Sequence, residues 1–493
     1  MRGGLWVLNS IFLLIPVFFP VITGALLLLF KPKTEKVRRV YVFTCTLLTS
    51  IFTIFCLIYK PEEEFVFIAL TSTIDLSFKL DGLGIIFASL IALLWPFACL
   101  YAFDYMKHSK NTNLFYAFYV MTFGVTMGVA FSGNALTMYL FYEFLTLVTT
   151  PLVLFTQTRE AVKASRKYLY YSISGAAIGF IAIIFVMVLG YNSTFSFGGI
   201  IPHAALKKEL LHFAYILAFI GFGAKAAVFP LHAWLPSASV APTPVTALLH
   251  AVAVVKAGAF VIMRMTYYVF GADLISGSYA QIVVLGLVGF TVIYGSIKAI
   301  KEQNFKRRLA YSTISNLSYI LLGVVMMSSF GFYAALCHMI FHAFMKITAF
   351  FCAGAVLEHS SVTKVHELEG IAKNMPFIFT CFAISALSLC GMPPFLGFIS
   401  KYSLITAGIE NGTWIGYTQI IILVLASVMS VIYLLFIVIR AFFPREDAVI
   451  AKAHDPSILM KLPIGLFACV VAVLGFFAQP LLVFLTKVSQ GNI

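Results

Sequence analysis

Long runs of apolar residues, separated by short polar segments, extend over most of this chain of 493 residues. A helix needs roughly twenty such residues to cross a bilayer. The runs predict fourteen transmembrane spans, at residues 5–30, 37–59, 81–103, 113–132, 134–156, 168–191, 210–229, 243–268, 278–298, 309–329, 331–356, 376–409, 417–440 and 459–486. Because the runs are continuous rather than alternating, they predict an all-α polytopic membrane protein and exclude an outer-membrane β-barrel.

The composition agrees with this pattern. Hydrophobic residues make up 61% of the chain and charged residues only 11%. About a quarter of the residues in a soluble domain are charged, so a water-soluble globular protein and a disordered one are both excluded. No soluble linker or nucleotide-binding glycine-rich motif separates the spans. We therefore expect a single transmembrane domain over residues 1–493, surrounded by lipid.

The formal net charge of +14 could indicate a nucleic-acid partner or a membrane topology. When successive spans alternate in direction, most lysines and arginines fall in loops on one side. The positive-inside rule accounts for this charge, so we expect no nucleic-acid partner. It also predicts a multi-pass protein of a prokaryotic-type inner (cytoplasmic) membrane, with both termini on the non-cytoplasmic side. Asp81 and Asp104, which bracket the third span, are expected to be solvated, and Arg264 is expected in an outer loop.

Two segments break the helical pattern at or beside membrane depth: residues 229–236 (FPLHAWLP), after the seventh span, and residues 391–398 (GMPPFLGF), within the twelfth. The helix-breaking residues are Pro230, Pro236, Pro393 and Pro394. Proline removes a backbone donor and clashes with the preceding turn, so freed carbonyls must be met by protein or water. Incidental proline kinks are the simpler alternative.

The two broken helices are five spans apart, and five is an odd number. A repeat of five helices must therefore be inverted in the membrane, and paired broken helices in inverted repeats indicate an ion or substrate path. The predicted repeats cover residues 113–268 and 278–440, with flanking helices at 5–103 and 459–486.

Five ionisable side chains lie inside apolar runs: Glu143, Lys225, Lys256, Lys346 and Lys401. Each costs roughly 2.5 to 3.5 kcal/mol at a helix centre unless it is paired or hydrated, and such groups commonly mark ion pathways. Snorkelling from a span end is the alternative, plausible for Lys401 and least plausible for Glu143 and Lys256.

These side chains suggest proton transfer. Burial disfavours the charged form of an amine or a carboxyl, and a nearby opposite charge restores it. A lysine whose carboxylate partner approaches and retreats can act as a proton switch, and Glu143 with Lys225 is the pair we nominate. His338, His342 and Lys346 recur at i, i+4 and i+8, so they line one helix face and indicate a relay. Two hydrogen-bonded core histidines with a separate lysine are the alternative.

Two further histidines are secondary candidates. His232 lies within the first break. His250 precedes Lys256 by six residues, about 240° around a helix, so the two share a face only if the helix is distorted. We expect His250 at the helix entry, in contact with the 242–244 loop.

The sequence predicts no metal or cofactor in this chain. The eight cysteines form no C-x-x-C pair, and most lie in apolar runs, where they fill the core. His203, His212, Glu209 and Asp273 lie on or near outer loops at spacings that do not predict a metal site. No residue set predicts a flavin, iron–sulfur, haem or nucleotide site, so the chain is not itself a redox catalyst.

At the residues described above, the sequence resembles the antiporter-like subunits of respiratory complex I and their relatives in Mrp-type cation/proton antiporters and energy-converting membrane-bound hydrogenases. The matching segments are Glu143, the run from Gly223 through 229–236 to 242–244, Lys256, residues 309–315 (LAYSTIS), and residues 391–394 with Lys401. They follow the family's order and span more than half of the chain. The run 248–258 (LLHAVAVVKAG) is closer to the hydrogenase and Mrp branches.

This resemblance implies the family's fold, which has fourteen helices with two inverted five-helix repeats. It also implies roles for the intramembrane residues: Glu143 and Lys225 as a coupled pair, Lys256 as the central proton carrier, His338, His342 and Lys346 as the linking relay, and Lys401 as the ionisable group of a second half-channel.

We therefore expect a proton-translocating subunit of a multi-subunit membrane complex, an energy-converting hydrogenase or a related redox-driven, complex I-type oxidoreductase. A subunit of an Mrp-type Na⁺/H⁺ antiporter is the alternative, and sodium then enters the cycle. A non-conducting scaffold for a peripheral enzyme is an alternative of another class. The expected partners are other membrane subunits, including further antiporter-like subunits, and peripheral redox subunits.

Overall fold

The computed structural model describes residues 10–61, 63–71, 74–189, 194–201, 207–446 and 450–493, which form a helical bundle. The first helices are α1 (Leu14–Leu29), α2 (Glu35–Tyr59), α3 (Gly82–Tyr105), α4 (Thr112–Ala130), α5 (Ala135–Val153) and α6 (Arg159–Leu189). The next are α7 (Lys208–Gly223), α8 (Trp234–Ala238), α9 (Thr243–Ala251), α10 (Val254–Arg264), α11 (Ala272–Ile275) and α12 (Tyr279–Lys301). The last are α13 (Phe305–Val325), α14 (Ser329–Ser360), α15 (Pro376–Cys390), α16 (Leu396–Asn411), α17 (Trp414–Phe442), α18 (Ile458–Phe477) and α19 (Gln479–Ser489).

The described helices fall on the predicted spans, so the predicted all-α polytopic fold class is confirmed, while the count of fourteen spans stays a prediction. Within the described ranges, eleven helical segments are long and apolar enough to cross a membrane. The other three predicted spans are the polar helix α13 and the two interrupted ones, α7 with α8 and α15 with α16. The arrangement of the spans in two inverted repeats stays a prediction.

Polar side chains fix where several helices begin. Asp81 Oδ1 accepts a hydrogen bond from Gly84 N at 2.9 Å at the start of α3. Asn134 Oδ1 accepts one from Thr137 N at 2.9 Å before α5, and Ser328 Oγ accepts one from Gly331 N at 3.0 Å before α14. These caps satisfy backbone donors that no helix turn can reach, which is especially valuable where water is scarce.

A short β-hairpin is an addition to the predicted all-α fold. Strands β1 (Phe65–Ala69) and β2 (Asp75–Phe78) pair antiparallel between α2 and α3, with an irregularity in the register. Ser77 N donates to Thr137 Oγ1 at 2.9 Å, which fixes the hairpin to the start of α5. We call this side of the bundle the hairpin end. The opposite side, where α3 ends at Tyr105, is called the basic end because most basic loop residues lie there.

The eighth predicted span, 243–268, is not a continuous helix. It is divided into α9, α10 and a π-helical segment, Met265–Phe270. Val252 and Ala253 leave helical geometry between α9 and α10. The span contains proline only at its first turn, so proline positions do not predict this break. The predicted span itself is present, as the apolar helical segment Thr243–Phe270.

The centre of the bundle is formed by α10 and α14. Every residue of α10 is buried, as is every residue of α14 from Ala334 to Val356. Polar groups on these two helices are consequently shielded from both lipid and bulk water.

Candidate proton-transfer site

The first helix break places Lys225 outside regular helix. Helix α7 ends at Gly223, earlier than the proline positions predict, and residues 224–227 form a turn. The indole Nε1 of Trp234 donates to Ala224 O at 2.8 Å, and Thr291 Oγ1 accepts from Phe229 N at 3.0 Å. Protein groups therefore meet backbone groups freed by the break.

The structure brings Lys225 and Glu143 together. Lys225 Nζ lies 3.7 Å from Glu143 Oε1. The same ammonium donates to the backbone carbonyl of Tyr142 and lies 3.4 Å from the centroid of that ring. Lys225 is fully buried, whereas the Glu143 side chain is 23% exposed at the surface of this chain. Rotation of the carboxylate alone would change the separation, because the lysine is enclosed by backbone and aromatic contacts.

A second set of contacts joins α10, α14 and α16. Lys256 Nζ lies 2.6 Å from His342 Nδ1. The rings of His342 and His338 are stacked, with centroids 5.6 Å apart. His338 Nδ1 lies 3.0 Å from Ser400 Oγ on α16. An ammonium donating to a neutral imidazole and an amine accepting from a protonated one have the same heavy-atom positions, so the first contact allows proton transfer.

Lys401 follows Ser400 and lies at the second helix break. Its Nζ donates to Cys390 O at 3.0 Å, a carbonyl freed where α15 ends. Gly391 has φ +87° and lies against the Lys401 stem, where a methyl group would come within 2.8 Å of Cδ. The ring of Tyr319 separates Lys401 from His338, at 5.5 Å from the lysine Nζ and 5.5 Å from the imidazole centroid.

Lys346 is held on the neighbouring helix α13. Its Nζ donates to Leu309 O at 3.2 Å and to Ser312 Oγ. Both acceptors lie in the LAYSTIS segment that carries part of the family resemblance. The predicted stripe of His338, His342 and Lys346 thus lies on α14, but its lysine bonds to α13 rather than to a histidine.

The Lys225 turn and α10 are in direct contact at a glycine. A methyl group at Gly258 would lie 3.0 Å from Lys225 Cβ and closer still to the backbone of Ala226. Lys256 is two residues away on α10. Among the residues that the structure describes, no direct hydrogen bond joins Lys225 to Lys256. The two clusters therefore adjoin without a continuous protein hydrogen-bond path.

The secondary histidines lie elsewhere. His250 is at the end of α9, stacked on Phe350 of α14 with centroids 4.5 Å apart, and not at the helix entry as predicted. The interruption of the helix at Val252 lies between His250 and Lys256. It is the helix distortion that these two residues would need in order to share a face. His232 packs between aromatic rings, with its centroid 4.7 Å from that of Tyr294.

One buried ion pair was missed. Asp81 was expected to be solvated, and Arg264 was expected in an outer loop. Instead the two side chains form a salt bridge, and Arg264 is fully buried. Arg264 is the last residue of α10, two turns after Lys256, and it lies within an apolar run. Its side chain is therefore inside the bundle and not in a loop. An arginine flanked by Met263 and Met265 was the available signal. Asp104 is only partly exposed and accepts from Ser457 Oγ.

Metal ligands are not clustered in the described ranges. No group there of three or more histidine, cysteine, aspartate or glutamate residues could hold a metal ion. His203 lies outside the described residues, and His212 Nε2 lies 3.0 Å from Leu274 O.

Comparison with known proteins decides the family. The sequence profile described as "NADH:quinone oxidoreductase/Mrp antiporter, TM" matches residues 132–432, and that of "NADH-Ubiquinone oxidoreductase (complex I), chain 5 N-terminus" matches residues 67–116. The chain belongs to the NADH:quinone oxidoreductase/Mrp antiporter family. This confirms the resemblance drawn from the sequence: the chain is an antiporter-like membrane subunit of the complex I superfamily. Glu143 and the four intramembrane lysines at 225, 256, 346 and 401 lie within the first match.

Curated relatives of this antiporter-like subunit include the Na(+)/H(+) antiporter subunit A1 of Staphylococcus aureus. The protein of strain JH9 is 35% identical over 424 residues, which cover 81% of this chain and 52% of that protein. The protein of strain Newman is 34% identical over the same length. The chain spans about half the length of the curated relatives it matches.

Solved structures share the fold. A chain in the structure of the Mrp complex from Dietzia sp. DQ12-45-1b matches with a TM-score of 0.85 and 20% identity, over 98% of this chain and 97% of that one. A chain of the membrane-bound sulfane sulfur reductase, an archaeal respiratory membrane complex, matches with a TM-score of 0.83 and 21% identity, over 99% of this chain and 97% of that one. A chain of respiratory complex I from Thermus thermophilus matches with a TM-score of 0.79 and 21% identity, over 97% of this chain and 99% of that one. These neighbours are subunits of multi-subunit membrane complexes.

Proposed function

We propose that this chain carries the proton-translocating part of a subunit of the A kind in an Mrp-type Na⁺/H⁺ antiporter. The observation that carries the proposal is the buried contact between Lys256 and His342, which continues through His338 to Ser400. A lysine sealed in a bundle centre is costly and has no packing advantage over leucine or methionine. Proton exchange with an imidazole gives it a use.

Each residue has a role in this proposal. The Glu143 carboxylate controls the charge of Lys225, and Lys256 carries the proton between this pair and the histidines. His342 and His338 pass it towards Ser400 and Lys401. The Nε2 atoms of both histidines lack a hydrogen-bond partner among the described residues, and water molecules there would satisfy them and extend the path.

The relatives favour an Mrp-type assembly over the energy-converting hydrogenase expected from the sequence. The Staphylococcus aureus proteins that are 34% and 35% identical to this chain carry the name Na(+)/H(+) antiporter subunit A1. The side chains favour protons over sodium within this chain, since Glu143 is accompanied by four intramembrane lysines and Asp81 is already bound to Arg264. Sodium prefers oxygen ligands, so we assign the sodium path to other parts of the complex.

A redox-driven complex is the second candidate. The likeness in fold to subunits of the sulfane sulfur reductase and of complex I supports it. In such a complex the electrons move through other chains, and this chain performs the same proton transfer. A non-conducting scaffold is the third possibility, and it gives no role to the Lys256–His342 contact.

The test is purification of the tagged chain with its native partners, followed by reconstitution into liposomes. We expect other antiporter subunits to copurify, and an imposed sodium gradient to drive proton movement across the liposome membrane. Copurification of hydrogenase or quinone-reducing subunits, with proton movement that requires a redox substrate, would establish the second candidate instead. An assembled complex in which Lys256→Met leaves ion transport unchanged would identify a scaffold.

A further inference from the structure

A buried ion pair lies at the hairpin end of the bundle, outside the proton-transfer contacts described above. The guanidinium of Arg264 binds both carboxylate oxygens of Asp81, with Nη2 3.0 Å from Oδ1. Its central carbon lies 4.9, 5.1 and 4.5 Å from the ring centroids of Phe195, Phe260 and Tyr268. Asp81 is itself fixed as the cap of α3. Both charges are therefore held in one geometry.

The pair lies on the same helix as the proposed proton carrier. Lys256, Phe260 and Arg264 are spaced by four residues, so they follow one face of α10 from the centre to the hairpin end. The distance along the axis is about 12 Å. Phe260 stacks on Phe87 of α3, with centroids 4.8 Å apart. A stacked aromatic pair and then a fixed cation thus separate Lys256 from the hairpin end.

Arginine is chemically unlike every other charged group on this path. A guanidinium does not release its proton in proteins, whereas lysine and histidine do. A relay that reached Arg264 would therefore stop there, because the guanidinium, held by both oxygens of Asp81, cannot pass a proton on. A fixed arginine is one way in which membrane channels exclude protons and cations.

We propose that the Arg264 guanidinium, held in place by Asp81 above the Phe87–Phe260 stack, is a barrier that prevents protons on Lys256 from leaving directly at the hairpin end. The barrier forces protons to move sideways, through His342 and His338 towards α16. This inference rests on the proposed function, because a barrier to protons has an effect only if Lys256 carries protons. It assigns Arg264 a role in coupling, not in proton transfer.

A purely structural role for the pair makes a different prediction. Removing one partner of a buried ion pair destabilises a protein whichever partner is removed. If the pair only holds α3 to α10, Asp81→Asn and Arg264→Gln should therefore have similar effects. If Arg264 is a barrier, only Arg264→Gln should open a path, because Asp81→Asn keeps the positive charge and an oxygen acceptor.

The experiment measures passive proton leak in liposomes that contain the assembled complex, with an imposed pH gradient, no sodium gradient and a pH-sensitive dye inside. Leak is normalised to the amount of assembled complex. We expect the Arg264→Gln complex to leak protons several-fold faster than the unmodified complex. The Asp81→Asn complex should leak at the same rate as the unmodified complex. Adding Lys256→Met to Arg264→Gln should abolish the extra leak. Arg39→Gln is the matched control, since Arg39 pairs with Glu35 and contacts the other end of α3 at Phe103 O.

Three results would overturn the proposal: no extra leak in Arg264→Gln, equal leak in both single variants, or extra leak that persists without Lys256. If Arg264→Gln fails to assemble, the double variant Asp81→Asn/Arg264→Gln replaces it, since two amides avoid an unpaired buried charge. The double variant should also leak protons faster than the unmodified complex. A double variant without extra proton leak would overturn the proposal as well. Sodium-driven exchange by the unmodified complex is measured separately, so loss of the proposed function and loss of the barrier are distinguishable.

Discussion

Lys256 Nζ lies 2.6 Å from His342 Nδ1, and this contact joins α10, all of whose residues are buried, to the buried central part of α14. Either atom can hold the shared proton. Replacement by His342→Gln keeps a polar side chain that can hydrogen-bond Lys256 but cannot take up a proton. We expect about a hundredfold slower sodium-driven proton movement, the lower end of what a positioned acid–base group contributes.

The measurement is the rate of proton movement in liposomes, normalised to assembled complex. The exposed His366 provides the control, and His366→Gln should behave as the unmodified protein. A His342→Gln complex with full exchange would remove the histidine from the path.

Glu143 should control Lys225 through charge and not through packing. Its carboxylate lies 3.7 Å from the Lys225 ammonium and is partly exposed. Glu143→Gln keeps the size but removes the charge, so we expect assembly to persist while coupled exchange falls. Glu143→Asp, which keeps the charge but shortens the side chain, should retain more exchange than Glu143→Gln. The exposed Glu160, changed to Gln, is the control. The reverse order of Glu143→Asp and Glu143→Gln would contradict a charge-based role.

Gly258 allows α10 to touch the Lys225 turn. A methyl group there would clash with the backbone of Ala226, so Gly258→Ala should push the turn away at a cost of about 1 to 3 kcal/mol. The melting temperature of the solubilised complex and its exchange rate should both fall. Gly286→Ala is the matched control, because a methyl group at Gly286 meets no atom within 4 Å. Equal melting temperatures for the two variants would show that the close approach is unimportant.

Trp234 supports the first helix break by donating to the Ala224 carbonyl at 2.8 Å. Trp234→Phe keeps an aromatic ring but removes this donor, so that Ala227 N, at 3.1 Å, remains as the donor to the carbonyl. The expected loss is about 0.5 to 1.5 kcal/mol, the net contribution of one hydrogen bond, because the carbonyl keeps a second donor. Thermal unfolding of the solubilised complex measures it. Trp414→Phe, at a tryptophan that is 56% exposed, should change little. A Trp234→Phe variant as stable as the unmodified complex would show that the indole hydrogen bond does not support the break.

The sequence predicted the elements of this fold well because hydrocarbon permits few choices. A run of apolar residues in a bilayer must form a helix, since no water is present to satisfy its backbone. The break at Val252 was not predicted, because it contains neither proline nor glycine and depends on packing against α14. The β1–β2 hairpin was likewise not predicted from a short polar segment.

The sequence nominated the buried charged residues but not the side chains that they contact, and their role in proton transfer stays a prediction. The cost of burying charge marks Lys225, Lys256 and Lys401 in a single sequence. The side chain that each lysine contacts depends on how the helices pack against one another. The sequence therefore did not predict the contact of Lys256 with His342 or that of Lys346 with α13. Arg264 was assigned to the outer loops because it lies close to the end of the predicted span 243–268.

The central claim is that Lys256 carries the transported proton. The direct test compares Lys256→Met with Lys298→Met, an exposed lysine at the basic end, in liposomes containing the assembled complex. We expect Lys256→Met to assemble normally and to slow sodium-driven proton movement by about a hundredfold or more, while Lys298→Met retains the full rate. Unchanged proton movement in the assembled Lys256→Met complex would contradict the account.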